Sequence, residues 1–218
     1  MRAAAVLAVV TIALPPPAHA GTVKGRVELI QKGGGKAANL AEVVVFLDGV
    51  RARPGPARAT MAMKGKSFIP RLVVVPVGGT VEFPNEDPIF HNVFSVSGDN
   101  RFDLDLYKRP KRGSWTFQHP GVARIYCNIH PQMSAVVVVR DNPYFTKAAP
   151  DGTFAILDVP PGRYALKAWN ERASEVAREV SVPAKGEVEA QLTLDASQFK
   201  RARHKNKFGK DYDTDEKY

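Results

Sequence analysis

Tyr126-Cys127-Asn128-Ile129-His130-Pro131-Gln132-Met133 places a thiol, an imidazole and a thioether at three-residue intervals. The runs on either side, Gly121 to Tyr126 and Ser134 to Arg140, are rich in β-branched and aromatic residues, so the octet is predicted to be a loop between two strands. A loop of that length can wrap three side chains around one point. Upstream, Asn85-Glu86-Asp87-Pro88-Ile89-Phe90-His91-Asn92-Val93 offers a second imidazole. Two His, one Cys and a weak axial Met form the donor set that suits copper in electron transfer, because little has to move when the metal changes oxidation state. Taken singly, Met133 reads as core packing, His91 as a hydrogen-bonded structural residue and Cys127 as a small buried hydrophobe. Zinc gains little from a thioether and prefers four comparable ligands.

Further out, short β-branched and aromatic runs recur between Gly, Pro, Asn and Asp, and no long apolar stripe has helical spacing. The chain therefore reads as all-β. Strands are expected at Val23 to Ile30, Val43 to Leu47, Thr60 to Met63, Leu72 to Pro76, Thr80 to Phe83, His91 to Ser95, Phe102 to Leu106, Ser114 to Gln118, Gly121 to Tyr126 and Ser134 to Arg140. A second set is expected at Thr153 to Leu157, Gly162 to Trp169, Ala177 to Val182 and Glu187 to Leu194. Many short strands with closely spaced turns imply β-sandwich architecture.

From about Thr60 to Arg140 the sequence resembles the cupredoxins, particularly the plastocyanin and amicyanin type. The likeness rests on Phe68-Ile69-Pro70, the stretch Val77-Gly78-Gly79-Thr80-Val81-Glu82-Phe83-Pro84-Asn85, His91-Asn92-Val93, Pro120-Gly121 and the Cys-x-x-His-x-x-Met loop, whose shortness is closer to amicyanin. The resemblance implies a Greek-key β-sandwich holding one type 1 copper through His91, Cys127, His130 and Met133. It also implies that Asn92 ties the His strand to the Cys loop, as outer partners orient metal ligands. An exposed edge of His130, ringed by Ile129, Pro131, Ile89 and Phe90, would be the electron route. Asn128 and Ile129 depart from the family, which often has a small residue and Pro there.

Asp151-Gly152-Thr153-Phe154 and Asp158-Val159-Pro160-Pro161-Gly162-Arg163-Tyr164 resemble the turn and strand pattern of carboxypeptidase regulatory-like domains. Gly21-Thr22-Val23-Lys24-Gly25-Arg26-Val27 and Val43 to Leu47 resemble that family's N-terminal strand pair. The expected organisation is a signal peptide over 1–20, a discontinuous outer sandwich over 21–57 and 143–196, a cupredoxin unit over 58–142 inserted between Leu47 and Tyr144, and a charged mobile tail over 197–218. Alternatively, the first two strands simply enlarge the central sandwich. Insertion at a hairpin tip is easy when the ends of the insert lie close together.

Arg2, the apolar run Ala3 to Leu14, three prolines and Ala18-His19-Ala20 read as a secretory signal too short to span a bilayer. Cleavage is expected after Ala20, leaving a periplasmic or otherwise exported protein with no transmembrane segment. Export argues against nucleic acid as the partner of a chain of net charge +9 and favours an acidic protein partner or an anionic surface. With one cysteine, no intramolecular disulfide can form, so Cys127 calls for burial or a bound metal. His119 and His204 read as surface residues. If β hairpin neighbours follow in sequence, the strand beginning at Ser114 starts near the metal end, which puts Lys108, Arg109, Lys111 and Arg112 beside it as a candidate partner contact. No general base, nucleophile or His-x-His pair stands out, so a carrier of single electrons is expected and not an enzyme. The rival readings are copper storage or delivery, and an extracytoplasmic binding module to which the copper unit is accessory.

Overall fold

The computed structural model describes residues 20–52, 54–200 and 204–212. The expected signal peptide, apart from Ala20, lies outside the described residues, as do residues 201–203 and 213–218 of the tail. Among the described residues no helix is long and apolar enough to cross a membrane.

The strands in chain order are β1 (Gly21–Ile30), β2 (Val44–Asp48), β3 (Arg58–Thr60), β4 (Ala62–Met63), β5 (Phe68–Ile69) and β6 (Leu72–Pro76). There follow β7 (Thr80–Pro84), β8 (His91–Ser95), β9 (Phe102–Tyr107), β10 (Arg112–Thr116), β11 (Gly121–Tyr126) and β12 (Ser134–Arg140). The chain closes with β13 (Phe145–Lys147), β14 (Thr153–Val159), β15 (Gly162–Asn170), β16 (Ala173–Val182) and β17 (Glu187–Asp195). They form sheets in the orders β14-β1-β17, β13-β2-β15-β16, β6-β12-β11-β8-β9 and β10-β7-β3, with a small β4-β5 pair.

Three apolar layers glue these sheets into one stack. The first holds Val23, Val27, Val45, Leu47, Ile156, Leu166 and Leu194, and draws only on β1, β2 and the strands after β12 with their flanking loops. The third holds Met61, Phe83, Val93, Phe117, Ile125, Val137 and Cys127, all from the central stretch of the chain. Between them, Val44 and Phe46 of β2 meet Leu72, Val136 and Val138 of β6 and β12. This middle layer explains a feature of the sequence. β1 and β17 alternate buried and exposed residues because one face is solvated, whereas Ala135 to Val139 is buried without a break because β12 has apolar neighbours on both faces. At the edge of the layer Arg71 pairs with Glu42 at 2.9 Å and with Glu171, and the Arg140 guanidinium lies 3.6 Å from the centroid of the Phe46 ring.

Two pairings tie the ends of the chain together. β1 runs parallel to β17 from Thr22↔Glu187 to Ile30↔Asp195. The central stretch begins and ends at one turn, where Thr80 N–H donates to Ala57 O (2.9 Å) and Val77 N–H to Arg140 O (2.7 Å). The Asp151-Gly152 turn sits so close to β1 that a Cβ on Gly152 would lie 2.4 Å from the Val27 carbonyl oxygen, and Gly152 also has φ +89°.

The strand expected at Ser114 to Gln118 runs instead over Arg112–Thr116 and pairs with β7, not with β11. The chain crosses to the opposite sheet between β9 and β10, as sandwich topologies allow. Residues 108–111 nevertheless lie at the His91 end of the sheet, because β9 ends at Tyr107, the partner of His91. The strand expected at Thr60 to Met63 is two, β3 and β4. β5 and β13 are too short to show periodicity in sequence.

Candidate metal centre

β11 and β12 pair continuously from Gly121↔Val139 to Tyr126↔Ser134, so residues 127–133 must reverse direction as a tight loop. Met133 N–H donates to His130 O (3.0 Å) and Cys127 N–H to Met133 O (3.3 Å), which closes it. These bonds aim Cys127, His130 and Met133 inward, where all three are buried. His91 arrives on β8, in the same sheet as β11, and is fully buried.

The structure brings three expected residues to one point. His91 Nδ1 and His130 Nδ1 are 3.0 Å apart, and Cys127 Sγ lies 4.0 Å and 3.6 Å from them respectively. A point equidistant from three atoms at those spacings is about 2 Å from each, the length of a metal bond to nitrogen or sulfur. Two imidazole nitrogens and a thiol facing one another in a buried pocket therefore fit a single ion of the borderline-soft class, copper or zinc.

His91 is oriented from behind. Its Nε2 lies 2.8 Å from Asp87 Oδ2, and Asp87 also accepts hydrogen bonds from the backbone N–H groups of Gly65 (2.8 Å) and Lys66 (2.9 Å). A carboxylate needs a donor, so the proton belongs on Nε2 and leaves the Nδ1 lone pair facing Cys127. Burial opposes the Asp87 charge, but the Lys66 and Gly65 N–H groups and His91 together hold its carboxyl below the usual range. The buried Asn85 braces the same loop through Nδ2, which donates to Ile89 O (2.9 Å) and Tyr107 O (3.0 Å).

Asn92 joins β8 to the loop. Its backbone N–H points at Cys127 Sγ (3.5 Å), its Oδ1 accepts from Asn128 N–H (3.3 Å) and its Nδ2 donates to Asp103 Oδ1 (2.7 Å). Burial pushes the Cys127 thiol up, against the pull of the Asn92, Ile129 and His130 N–H groups. The thiol thus keeps its proton in the metal-free protein and gives it up on binding a metal.

Burial, helped by the neighbouring His91, pushes His130 down from 6.5 to about 4. In the unfolded chain this imidazole titrates near 6.5, so between about pH 6.5 and pH 4 the unfolded state binds a proton that the folded state does not. The metal-free protein should lose stability as pH falls through that window, by on the order of 3 kcal/mol, and carboxylates held below their usual range, Asp87 among them, extend the loss at lower pH. Thermal unfolding in steps from pH 7 to pH 4 checks this against His130→Gln, which should flatten the profile; an unchanged profile would place the dependence elsewhere.

The expected exposed edge of His130 is not present. The residue is 5% exposed, and its Nε2 is buried with no hydrogen-bond partner among the described residues. The β4–β5 turn, pinned to Asp87, brings Lys66 close enough for its charge to bear on His130. Phe90 is exposed, while Ile89 and Ile129 are partly buried. Lys108, Arg109, Lys111 and Arg112 are all exposed, and the Lys108 ammonium lies 5.0 Å from the centroid of the Phe90 ring. His119 is exposed, away from the site.

The tail departs from expectation over residues 204–212, which pack on the Cys127–Met133 loop. His204 stacks on Tyr126 with ring centroids 4.1 Å apart, Lys207 N–H donates to Asn128 Oδ1 (2.9 Å), and the Tyr212 hydroxyl donates to Cys127 O (2.8 Å). Burial, with the nearby Cys127, pushes the Tyr212 phenol well up. The sequence reading missed Asp87, Asp103, Lys207 and Tyr212. Asn85-x-Asp87 was a usable sign, since Asp87 N–H donates to Asn85 Oδ1 as in a turn that presents a carboxylate. In the tail the sign was Phe208-Gly209 and Tyr212, aromatic residues and a turn former among charges.

The sheet order, with its buried two-histidine and cysteine cluster between β8 and the β11–β12 loop, defines a β-sandwich resembling the cupredoxins. No family model matches the chain, and no curated protein matches it. Among solved structures it is similar to a copper-containing nitrite reductase from Thermus scotoductus SA-01, at 32% identity over 43% of this chain, with a TM-score of 0.36. The chain spans 25% of that protein's length. A purple cupredoxin from Nitrosopumilus maritimus is 25% identical over 37% of this chain and 98% of its own, with a TM-score of 0.34. Amicyanin from Paracoccus versutus is 22% identical over 38% of this chain and 80% of its own, with a TM-score of 0.36.

Proposed function

We propose that this is an exported carrier of single electrons that holds one type 1 copper through His91, Cys127, His130 and Met133. The observation that carries the reading is the buried triangle of two Nδ1 atoms and one Sγ, closed by a loop whose last residue is the buried Met133. Bound copper would supply a one-electron couple. The protein's part is to hold the donors still: Asp87 fixes His91, Asn92 fixes the loop, and Phe83, Phe117, Val93 and Ile125 share the core cluster with Cys127 and keep water out. A fixed donor set and a dry pocket favour electron transfer because little has to reorganise. We read the central stretch, 58–142, as a unit inserted in the outer sandwich, and residues 1–20 as an export signal.

Reconstitution of the mature protein with copper tests this. An intense thiolate-to-copper band and a reversible one-electron couple are expected; a colourless protein without a couple would overturn the reading. The burial of His130 favours one alternative, copper storage or delivery, since neither His91 nor His130 presents more than 5% of its surface to solvent. A storage protein would surrender copper readily to a competing chelator, whereas a carrier keeps it through many redox cycles.

The partner we propose is an acidic redox protein docking on Lys108, Arg109, Lys111 and Arg112, which follow Tyr107, the partner of His91, and of which Lys108 lies over the exposed Phe90 ring. Neutralising the four cations should slow exchange with an acidic partner at low salt by about tenfold and flatten its salt dependence. Rates that do not respond would remove the loop from the docking surface.

A further inference from the structure

Segment 204–212 does more than cover the loop, because its contacts close a ring of hydrogen bonds around the residue that carries the thiol. The Lys207 ammonium meets Asp103 Oδ2 at 2.6 Å, and Asp103 Oδ1 accepts from Asn92 Nδ2 at 2.7 Å. Asn92 Oδ1 accepts from Asn128 N–H at 3.3 Å, and Asn128 Oδ1 accepts from Lys207 N–H at 2.9 Å, which returns to the start. Asn92 N–H points at Cys127 Sγ from within this ring. A second clamp falls on Cys127 itself, whose carbonyl accepts from the Tyr212 hydroxyl at 2.8 Å. A third falls beyond it, where His204 Nε2 lies 2.7 Å from Pro131 O while the ring stacks on Tyr126.

The segment is itself folded. Asn206 N–H donates to Lys210 O (2.9 Å), and Asn206 Oδ1 accepts from the N–H groups of Phe208 and Lys210, both at 3.0 Å. Lys207 is thereby presented by a closed turn. This also gives Asn128 a purpose: it is the loop's attachment point for the segment, which a small residue there could not provide.

We propose that residues 204–212 form a strap, with Lys207 and Tyr212 as positioning residues that hold Cys127 against the His91 strand. The inference rests on the metal reading of the site, but its first test needs no metal. In the metal-free mature protein, alkylation of Cys127 by iodoacetamide should be about tenfold faster in the Lys207→Ala/Tyr212→Phe double variant than in the wild type, because the loop opens more often. Lys207→Arg, which keeps the charge opposite Asp103, should return the rate close to the wild-type value. In the copper-loaded double variant the thiolate absorption band should shift. Tyr212→Phe alone keeps the ring in place, so a faster rate in that variant cannot be ascribed to a lost fold. A double variant alkylated within about twofold of the wild-type rate, with an unshifted band, overturns the strap. If the wild type takes up no copper, the electron-carrier reading falls, and the alkylation rates still decide the strap.

Discussion

Copper-loaded Cys127→Ser protein is expected to be colourless, with the intense visible band lost entirely and copper affinity down by more than the roughly tenfold to hundredfold that follows loss of an outer partner. The band requires a thiolate donor, and a serine hydroxyl stays protonated at neutral pH and offers no comparable charge transfer. Cys127 is fully buried beside two imidazoles, so no neighbouring thiol can replace it; it is the only cysteine in the chain. The fold should survive, since Ser is close to Cys in size and can still accept from Asn92 N–H. Absorption and paramagnetic resonance spectra of the two proteins side by side settle the matter, and a blue serine variant would remove Cys127 from the ligand set. Met133→Leu is the companion: colour retained, spectrum and potential changed, as for loss of a weak axial donor.

The second large effect is expected far from the metal. Phe46→Ala should cost about 3–5 kcal/mol, because a fully buried aromatic ring is removed from a layer that cannot collapse from either side. Phe46 packs with Val44, Leu72, Val136 and Val138 between two rigid sheets, and its ring also carries the Arg140 guanidinium. With the ring gone, Arg140, whose Nε is buried without a partner among the described residues, loses its cover as well. Denaturant unfolding of the wild type and the variant measures the cost. A loss below about 1 kcal/mol would mean that the two sandwiches are not held by this layer.

Much of the fold was legible because strands announce themselves by alternation. β1 and β17 keep one wet face, and their polar and apolar residues take turns. β12 was legible for another reason, its four consecutive valines, although that run does not say what covers its second face. The partner, β2, is Val-Val-Phe-Leu-Asp, about ninety residues earlier, and only the folded chain shows that the two runs meet. β10 was misplaced because hairpin adjacency was assumed where the chain changes sheets. That Cys127 and His130 meet could be read from their spacing, and that His91 joins them from its flanking residues. Asp87 carried only a partial sign: Asn85-x-Asp87 marks a turn that presents a carboxylate, but does not say that it will turn back onto a histidine four residues on. The tail was misjudged because composition reports the average of a segment. Three residues, His204, Lys207 and Tyr212, make its specific contacts, and the surrounding charges hide them.

The parallel pairing of β1 with β17 also sets an order in time. β1 is made first and waits unpaired on that side until β17 exists, with the whole central stretch between them. Joining strands so far apart in the chain is a slow, late event in folding. The central stretch needs no such wait: once it has folded, its two ends meet at the Val77 to Thr80 turn, and the residues flanking it are brought together. A long excursion of chain is thereby shortened to a few residues before the outer sandwich closes, which lowers the entropy lost in closing it. On this reading the half that carries the His91, Cys127 and His130 cluster is expected to form while the outer half is still open, and its completion to bring the outer strands within reach of one another.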